Sequence, residues 1–176
     1  PRTASTEYSG RVSSALSNPY FTAFVEYVER EIAISGFSLV LTDTHDDPVR
    51  ERRAVDEILS HRVDAMIVAP TADSGPVLDR LTRLQVPTVL IDRVPAGELA
   101  AGMDAIGVEN IEPTALLVDH LARIGHTRIA LVVPRPGLTT IAERAEGLHL
   151  WLERNGLTPD NCLVGHGPDP NDPASG

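Results

Sequence analysis

A chain of 176 residues, 42% hydrophobic and 23% charged, is long enough for one domain or two small lobes with a real core. No apolar run reaches the ~20 residues that span a bilayer, the N-terminus lacks a secretory pattern, and the one cysteine, Cys162, excludes an internal disulfide or a cysteine-based metal cluster. The formal charge is −10 and all 15 basic residues are Arg, so phosphate backbones repel the chain and it is not expected to bind DNA by itself.

The first expected strand lies at 12–16, within Gly10–Leu16 (GRVSSAL). Its apolar residues are only Val12, Ala15 and Leu16, and Arg11, Ser13 and Ser14 suit a central strand badly. Phe21, Phe24, Val25, Val28 and Ile32 recur at helical spacing and predict a helix over 21–34, with Asn18-Pro19 at its start and Gly36 as its stop. Ser38–Thr42 reads as a strand, Asp43–Asp47 as a polar loop, and Pro48–Arg62 as a helix with Ala54, Val55, Ile58 and Leu59 on its apolar face. On that helix Arg50, Arg52 and Arg53 alternate with Glu51, Asp56 and Glu57, which reads as a solvated, ion-paired face.

Asp64–Ala69 is the next strand, 77–84 a helix, and Val86–Ile91 a strand closed by Asp92-Arg93. A weak strand follows at 105–108, a helix over 113–124 closed by Gly125, and a strand at 128–133. A helix over 141–155 with Gly156 as its stop and a short strand at 161–164 complete the pattern. Alternating helices with near-continuous apolar strands define an α/β fold, a doubly wound parallel sheet covered on both faces. Ligands of such sheets sit in the loops at the carboxyl ends of the strands.

Those loops hold little catalytic chemistry. There is no glycine-rich phosphate loop, nucleophile elbow or pair of metal histidines at helical spacing, and no cofactor is implied. Asp43–Asp47 (DTHDD) lacks calcium-loop spacing and reads as a solvated loop with helix-capping carboxylates. His126, after a helix-stopping glycine, suits the C-terminus of that helix.

The candidate binding residues are few. Asn18, Tyr20 and Phe21 (SNPYF) stand where the first strand hands over to the first helix; an aromatic there can stack on a sugar or base while the amide reaches a hydroxyl. The alternative is that Asn18 only caps and Phe21 only packs. Asp92 and Arg93 can clamp several hydroxyls in fixed geometry, or can form a plain strand-end ion pair. Arg144 falls in the first turn of a helix starting near Ala142, where its charge opposes the macrodipole. That placement hints at a ligand, the alternative being an ion pair with Glu143 or Glu146.

In order and spacing from Ser17 to about Gly167, the chain resembles the lactose-repressor (LacI) family and its relatives, the periplasmic sugar-binding proteins. SNPYF is similar to the start of the family's first helix, TDTHDDPVRERRAVDEILSHRVDAMIVAP to its second strand through third, VPTVLIDR to its fourth strand, and ERAEGL to a later helix. HLARIGHTRIALV, His120–Val132, carries a Gly-His-x-Arg-Ile form typical of the repressors.

The resemblance implies a periplasmic-binding-protein-like effector-binding domain: an N-terminal lobe over 1–109, a partial C-terminal lobe over 110–176, and a small effector, sugar or nucleoside-like, between them. Effector contacts implied residue by residue are Tyr20, Phe21, Asp92, Arg93 and Arg144, with Asn18 next. It also implies a cytoplasmic homodimer that reaches operator DNA only through a helix-turn-helix segment that would precede Pro1, and no membrane partner. Two further departures stand out: Glu109-Asn110 and Glu112-Pro113 replace the family's usual Asp-Asn and glycine pair, and the second lobe stops half built. The runner-up is a periplasmic sugar-binding protein of an uptake system. An enzyme would need an acid, base or nucleophile with a partner in the strand-end loops, where only Asp43 and Asp92 offer themselves.

Overall fold

The computed structural model describes residues 8–13, 19–93, 103–133, 138–158 and 162–166. The chain divides into two compact units, residues 1–107 and 108–176. No helix among the described residues is long and apolar enough to cross a membrane.

Unit 1 alternates β1 (Tyr8–Ser13), α1 (Pro19–Ile34), β2 (Ser38–Asp43), α2 (Pro48–Ser60), β3 (Ala65–Val68), α3 (Gly75–Arg83), β4 (Thr88–Asp92) and β5 (Met103–Gly107). The strands form one sheet in the order β2-β1-β3-β4-β5, and every pair is parallel. Side chains alternate across it as the two-residue period requires. Met66, Val68 and Leu90 face Ala54, Val55 and Ile58 of α2 and Val77, Leu78 and Leu81 of α3. Ala69, Ile67, Val89 and Ile91 face Phe21 and Phe24 of α1. Burial on both faces is why these strands read as apolar runs.

The first strand departs from expectation. It occupies Tyr8–Ser13 rather than 12–16, and it is central, with Ser9–Val12 laddered to both Leu39–Thr42 and Ala65–Val68. Val12, Ala15 and Leu16 pull a hydrophobicity reading toward the C-terminal side, but the position of a central strand is set by two backbone ladders. The handover at 14–18, Asn18 included, lies outside the described residues.

Local signals set most helix ends. Asp47, in extended geometry, caps α2 by accepting from Val49 N at 2.7 Å and Arg50 N at 3.2 Å, with Pro48 at the first helical position. These two backbone donors, with Arg50 and Arg53 nearby, hold the Asp47 carboxyl below the ordinary carboxylate range. Gly36 stops α1 at φ 85°, where Phe37 N donates back to Ile32 O.

Unit 2 contains α4 (Ile111–Arg123), β6 (Ile129–Val133), α5 (Thr139–Arg154) and β7 (Cys162–His166), with β6 and β7 parallel. Its core is Ala115 and Val118 of α4 against Leu148, Trp151 and Leu152 of α5, with Ile129 and Leu131 beside them. Trp151 Nε1 donates to Asp119 Oδ1 at 3.4 Å, giving the buried indole a polar outlet. At the surface Arg154 Nη1 donates to the Glu112 carboxylate at 2.9 and 3.1 Å, which holds that carboxyl low and the guanidinium high.

The two helices meet closely at Gly147. A Cβ there would fall deep inside the Ile111 carbonyl oxygen and 2.8 Å from Thr114 Cβ, and backbone cannot yield as a flexible side chain can. Gly147→Ala should therefore destabilise by roughly 1–3 kcal/mol through overpacking, outweighing the ~1 kcal/mol that alanine gains as a helix former. Thermal unfolding of the variant checks the sign, which helix propensity alone would reverse.

Candidate functional site

Because the strands of unit 1 run parallel, the loops after β2, β3 and β4 emerge at one edge of the sheet, and Arg93 ties them together. Its Nη1 donates to Asp46 Oδ1 in the loop after β2 and to the Pro70 carbonyl after β3 at 3.3 Å. Its Nε lies 3.6 Å from Asp92 Oδ2 at the end of β4. The Arg93 and Asp46 side chains are only 14% and 12% exposed, so the pair is largely removed from water and its attraction is little screened. Sequence reasoning missed Asp46: the two partners are 47 positions apart, and DTHDD carries no mark to tell Asp46 from its neighbours.

The backbone here is unusual. Asp92 has φ 65°, and Arg93 N donates to Ile91 O at 2.7 Å across it, a three-residue turn of the rare left-handed sense. His45 and Asp46 also have positive φ, 48° and 61°. Asp and His tolerate this region better than most side chains, yet three such residues at neighbouring strand ends are a concentration that binding sites show more often than frameworks do. Asp43 receives the His45 amide at 2.9 Å and has His45 Nδ1 3.5 Å from Oδ2. Among the described residues no group of three His, Cys, Asp or Glu could hold a metal ion.

Beneath this edge, Glu51 overturns the reading of 50–57 as a wholly solvated face. It is 0% exposed, because α2 turns this position inward at its first turn. Its Oε1 accepts from Thr71 N at 3.0 Å and Ser74 Oγ at 2.7 Å, and its Oε2 from Thr71 Oγ1 at 3.0 Å. Interleaving with arginines hid it in the sequence.

Of the aromatics, Tyr20 is exposed on α1, whereas Phe21 is 2% exposed and packed on Ala69 and Ile91. Their rings meet edge to face with centroids 5.2 Å apart, so the buried ring supports the exposed one.

In unit 2, Arg144 is not in a first turn. α5 begins at Thr139 with Leu138 as its N-cap, which puts Arg144 in the second turn and removes the macrodipole argument, since that field fades within one turn. Its Nε donates to Asn110 Oδ1 at 3.0 Å, and its terminal nitrogens have no partner among the described residues. Asn110, 7% exposed, also donates through Nδ2 to Val108 O and to Glu143 Oε2, both at 2.8 Å. Glu109 accepts from Ile111 N at 2.9 Å and Glu112 N at 3.1 Å, doing the capping work at the start of α4. Glu109-Asn110 thus gives the departure from the family's usual pair a local role.

The family described as periplasmic binding proteins and sugar binding domain of the LacI family matches residues 8–169, and the chain belongs to it. The ribose operon repressor of Escherichia coli strain K12 is 31% identical over 157 residues, which are 88% of this chain and 47% of that protein. The chain therefore spans about half the length of such curated relatives. Among solved structures, a candidate ribose operon repressor from Burkholderia thailandensis is 28% identical with a TM-score of 0.79, covering 92% of this chain and 61% of that one. The Cra transcriptional dual regulator from Pseudomonas putida, in complex with fructose 1-phosphate, shares the fold at 22% identity and a TM-score of 0.81, over 94% of this chain and 59% of that one.

If Arg93 and Asp46 form one desolvated pair, removing either strands the other. Arg93→Ala and Asp46→Ala should each lower stability, and the double variant should lose less than their sum, with a coupling of about 0.5–3 kcal/mol in denaturant unfolding. Additive losses would show that the pair is not coupled.

Proposed function

We propose that this chain is the effector-sensing part of a cytoplasmic transcription repressor, and that the effector is an uncharged polyhydroxyl compound of pentose or hexose size. The carrying observation is the strand-end cluster itself: one braced guanidinium, Arg93, among Asp43, Asp46 and Asp92. Carboxylates accept from sugar hydroxyls while Arg donates to them. With three carboxylates to one guanidinium among the described residues of this cluster, a phosphorylated ligand would meet net repulsion there. Tyr20 supplies an exposed aromatic face near the same edge, supported by Phe21, and Asn18 remains a candidate hydroxyl contact. Arg144 is the proposed contact from unit 2, held by Asn110 while its terminal nitrogens can donate to a ligand.

The reading makes the chain a binding protein rather than an enzyme, in keeping with relatives that are transcription regulators. Operator binding is assigned to another segment of the full-length protein, since this chain carries a net charge of −10. A homodimer is proposed on one feature of the surface: Tyr27 and Ile34 of α1 and Leu41 of β2 are exposed apolar residues beside an open sheet edge, which a second copy would cover.

A melting-temperature screen of the full-length protein against D-ribose, D-glucose, myo-inositol, nucleosides and fructose 1-phosphate tests the proposal. A neutral sugar at ~100 times its dissociation constant should add about 2.7 kcal/mol, and fructose 1-phosphate should add nothing. Arg144→Ala should weaken the binding of that sugar by about 1.5–3 kcal/mol, as for a hydrogen bond to a charged group, and leave operator affinity without sugar unchanged. A response to the phosphorylated sugar alone would contradict the charge argument.

A further inference from the structure

Glu51 is a costly residue to bury. It has no exposed surface, and what offsets its burial is hydrogen bonding: Thr71 N and Oγ1 and Ser74 Oγ all donate to it, and among the described residues no Arg or His pairs with it. An isolated buried carboxylate costs several kcal/mol, and an apolar side chain of similar volume would fill the space without that cost. The amino end of α2 lowers it, because Glu51 lies in the first turn. What the carboxylate holds is then the informative question.

It holds one particular peptide. The Thr71 N–H that donates to Glu51 and the Pro70 C=O that accepts from Arg93 Nη1 belong to the same planar group, the bond joining Pro70 to Thr71. Negative charge sits at the N–H end of that plane and positive charge at the C=O end. Each bond polarises the peptide in the direction that strengthens the other. The hydroxyls of Thr71 and Ser74, both buried, keep the carboxylate in the plane's reach.

We propose that Glu51 is the positioning residue of the effector site: through the Pro70–Thr71 peptide it braces Arg93, without itself touching the effector. The inference rests on the reading of Arg93 as an effector contact. Arg93 Nη1 is held jointly by the direct pair with Asp46 and by this relayed charge, so the guanidinium meets the ligand already oriented, and binding need not bear the loss of its rotamer freedom.

The test uses Glu51→Gln in the full-length protein, which keeps the volume but turns one of the two accepting oxygens into a donor. By NMR without ligand, solvent exchange of the Arg93 Nη1 protons and the Thr71 amide should accelerate about tenfold, and affinity for whichever of D-ribose, D-glucose or myo-inositol binds the wild type should fall about tenfold. In an Arg93→Ala background Glu51→Gln should cost nothing further in affinity, a coupling that mere destabilisation would not produce. Should Glu51→Gln not fold, Ser74→Ala, which removes one donor from the other side, takes its place with the same expectations. Unchanged Arg93 exchange, or an affinity loss that is the same with and without Arg93, overturns the positioning role and leaves the site reading standing. If Arg93→Ala itself does not weaken binding, or none of the three sugars binds, the site reading falls and the positioning role with it.

Discussion

Parallel strands place a strict constraint on this molecule. When five neighbouring strands run the same way, every loop that follows a strand is delivered to one edge, however far apart those loops lie in sequence. Polar residues at three strand ends then meet, while β3 and β4 keep mostly apolar side chains within the sheet. Arg93 exploits this geometry by reaching from the end of β4 over the Pro70 carbonyl to Asp46 beyond β2. Such a span exists only because β1 and β3 hold the intervening spacing.

The same edge concentrates the features that a framework would avoid. Asp92, His45 and Asp46 take left-handed backbone angles, the Arg93–Asp46 pair is largely desolvated, and the fully buried Glu51 carboxylate lies just beneath. Each is unfavourable in isolation, and each is offset by a specific partner. In unit 2 the corresponding economy is in Asn110, one buried amide that satisfies Val108, Glu143 and Arg144 together. Rigid, prepaired polar groups of this kind lose little freedom when a ligand arrives.

Much of the framework was legible in the sequence because it depends on local rules. The period-3.6 spacing of Ala54, Val55 and Ile58, the Asp47-Pro48 start of α2 and the Gly36 stop of α1 are signals within one or two turns. The doubly buried strands announce themselves as apolar runs. β1 is the exception: its position is dictated by ladders to residues 38–43 and 65–68, so its own side chains misplace it. The sequence places Arg144 one turn too early in its helix because α5 starts at Thr139 behind Leu138, without a side-chain cap. Of the proposed contacts, Asp92, Arg93 and Tyr20 stand out in sequence by their position after a strand, while Phe21 is buried in the core. Asp46, Asn110 and Glu51 could not, because their significance lies in partners 20 to 47 positions away.

The most direct measurement of the central claim is a crystal structure of the full-length protein with the best-binding neutral sugar. The account requires sugar hydroxyls within hydrogen-bond reach of the Arg93 guanidinium and the Asp92 carboxylate, with the Pro70–Thr71 peptide still held by Glu51. A sugar bound elsewhere, with Arg93 engaged only by Asp46 and Pro70, would contradict it.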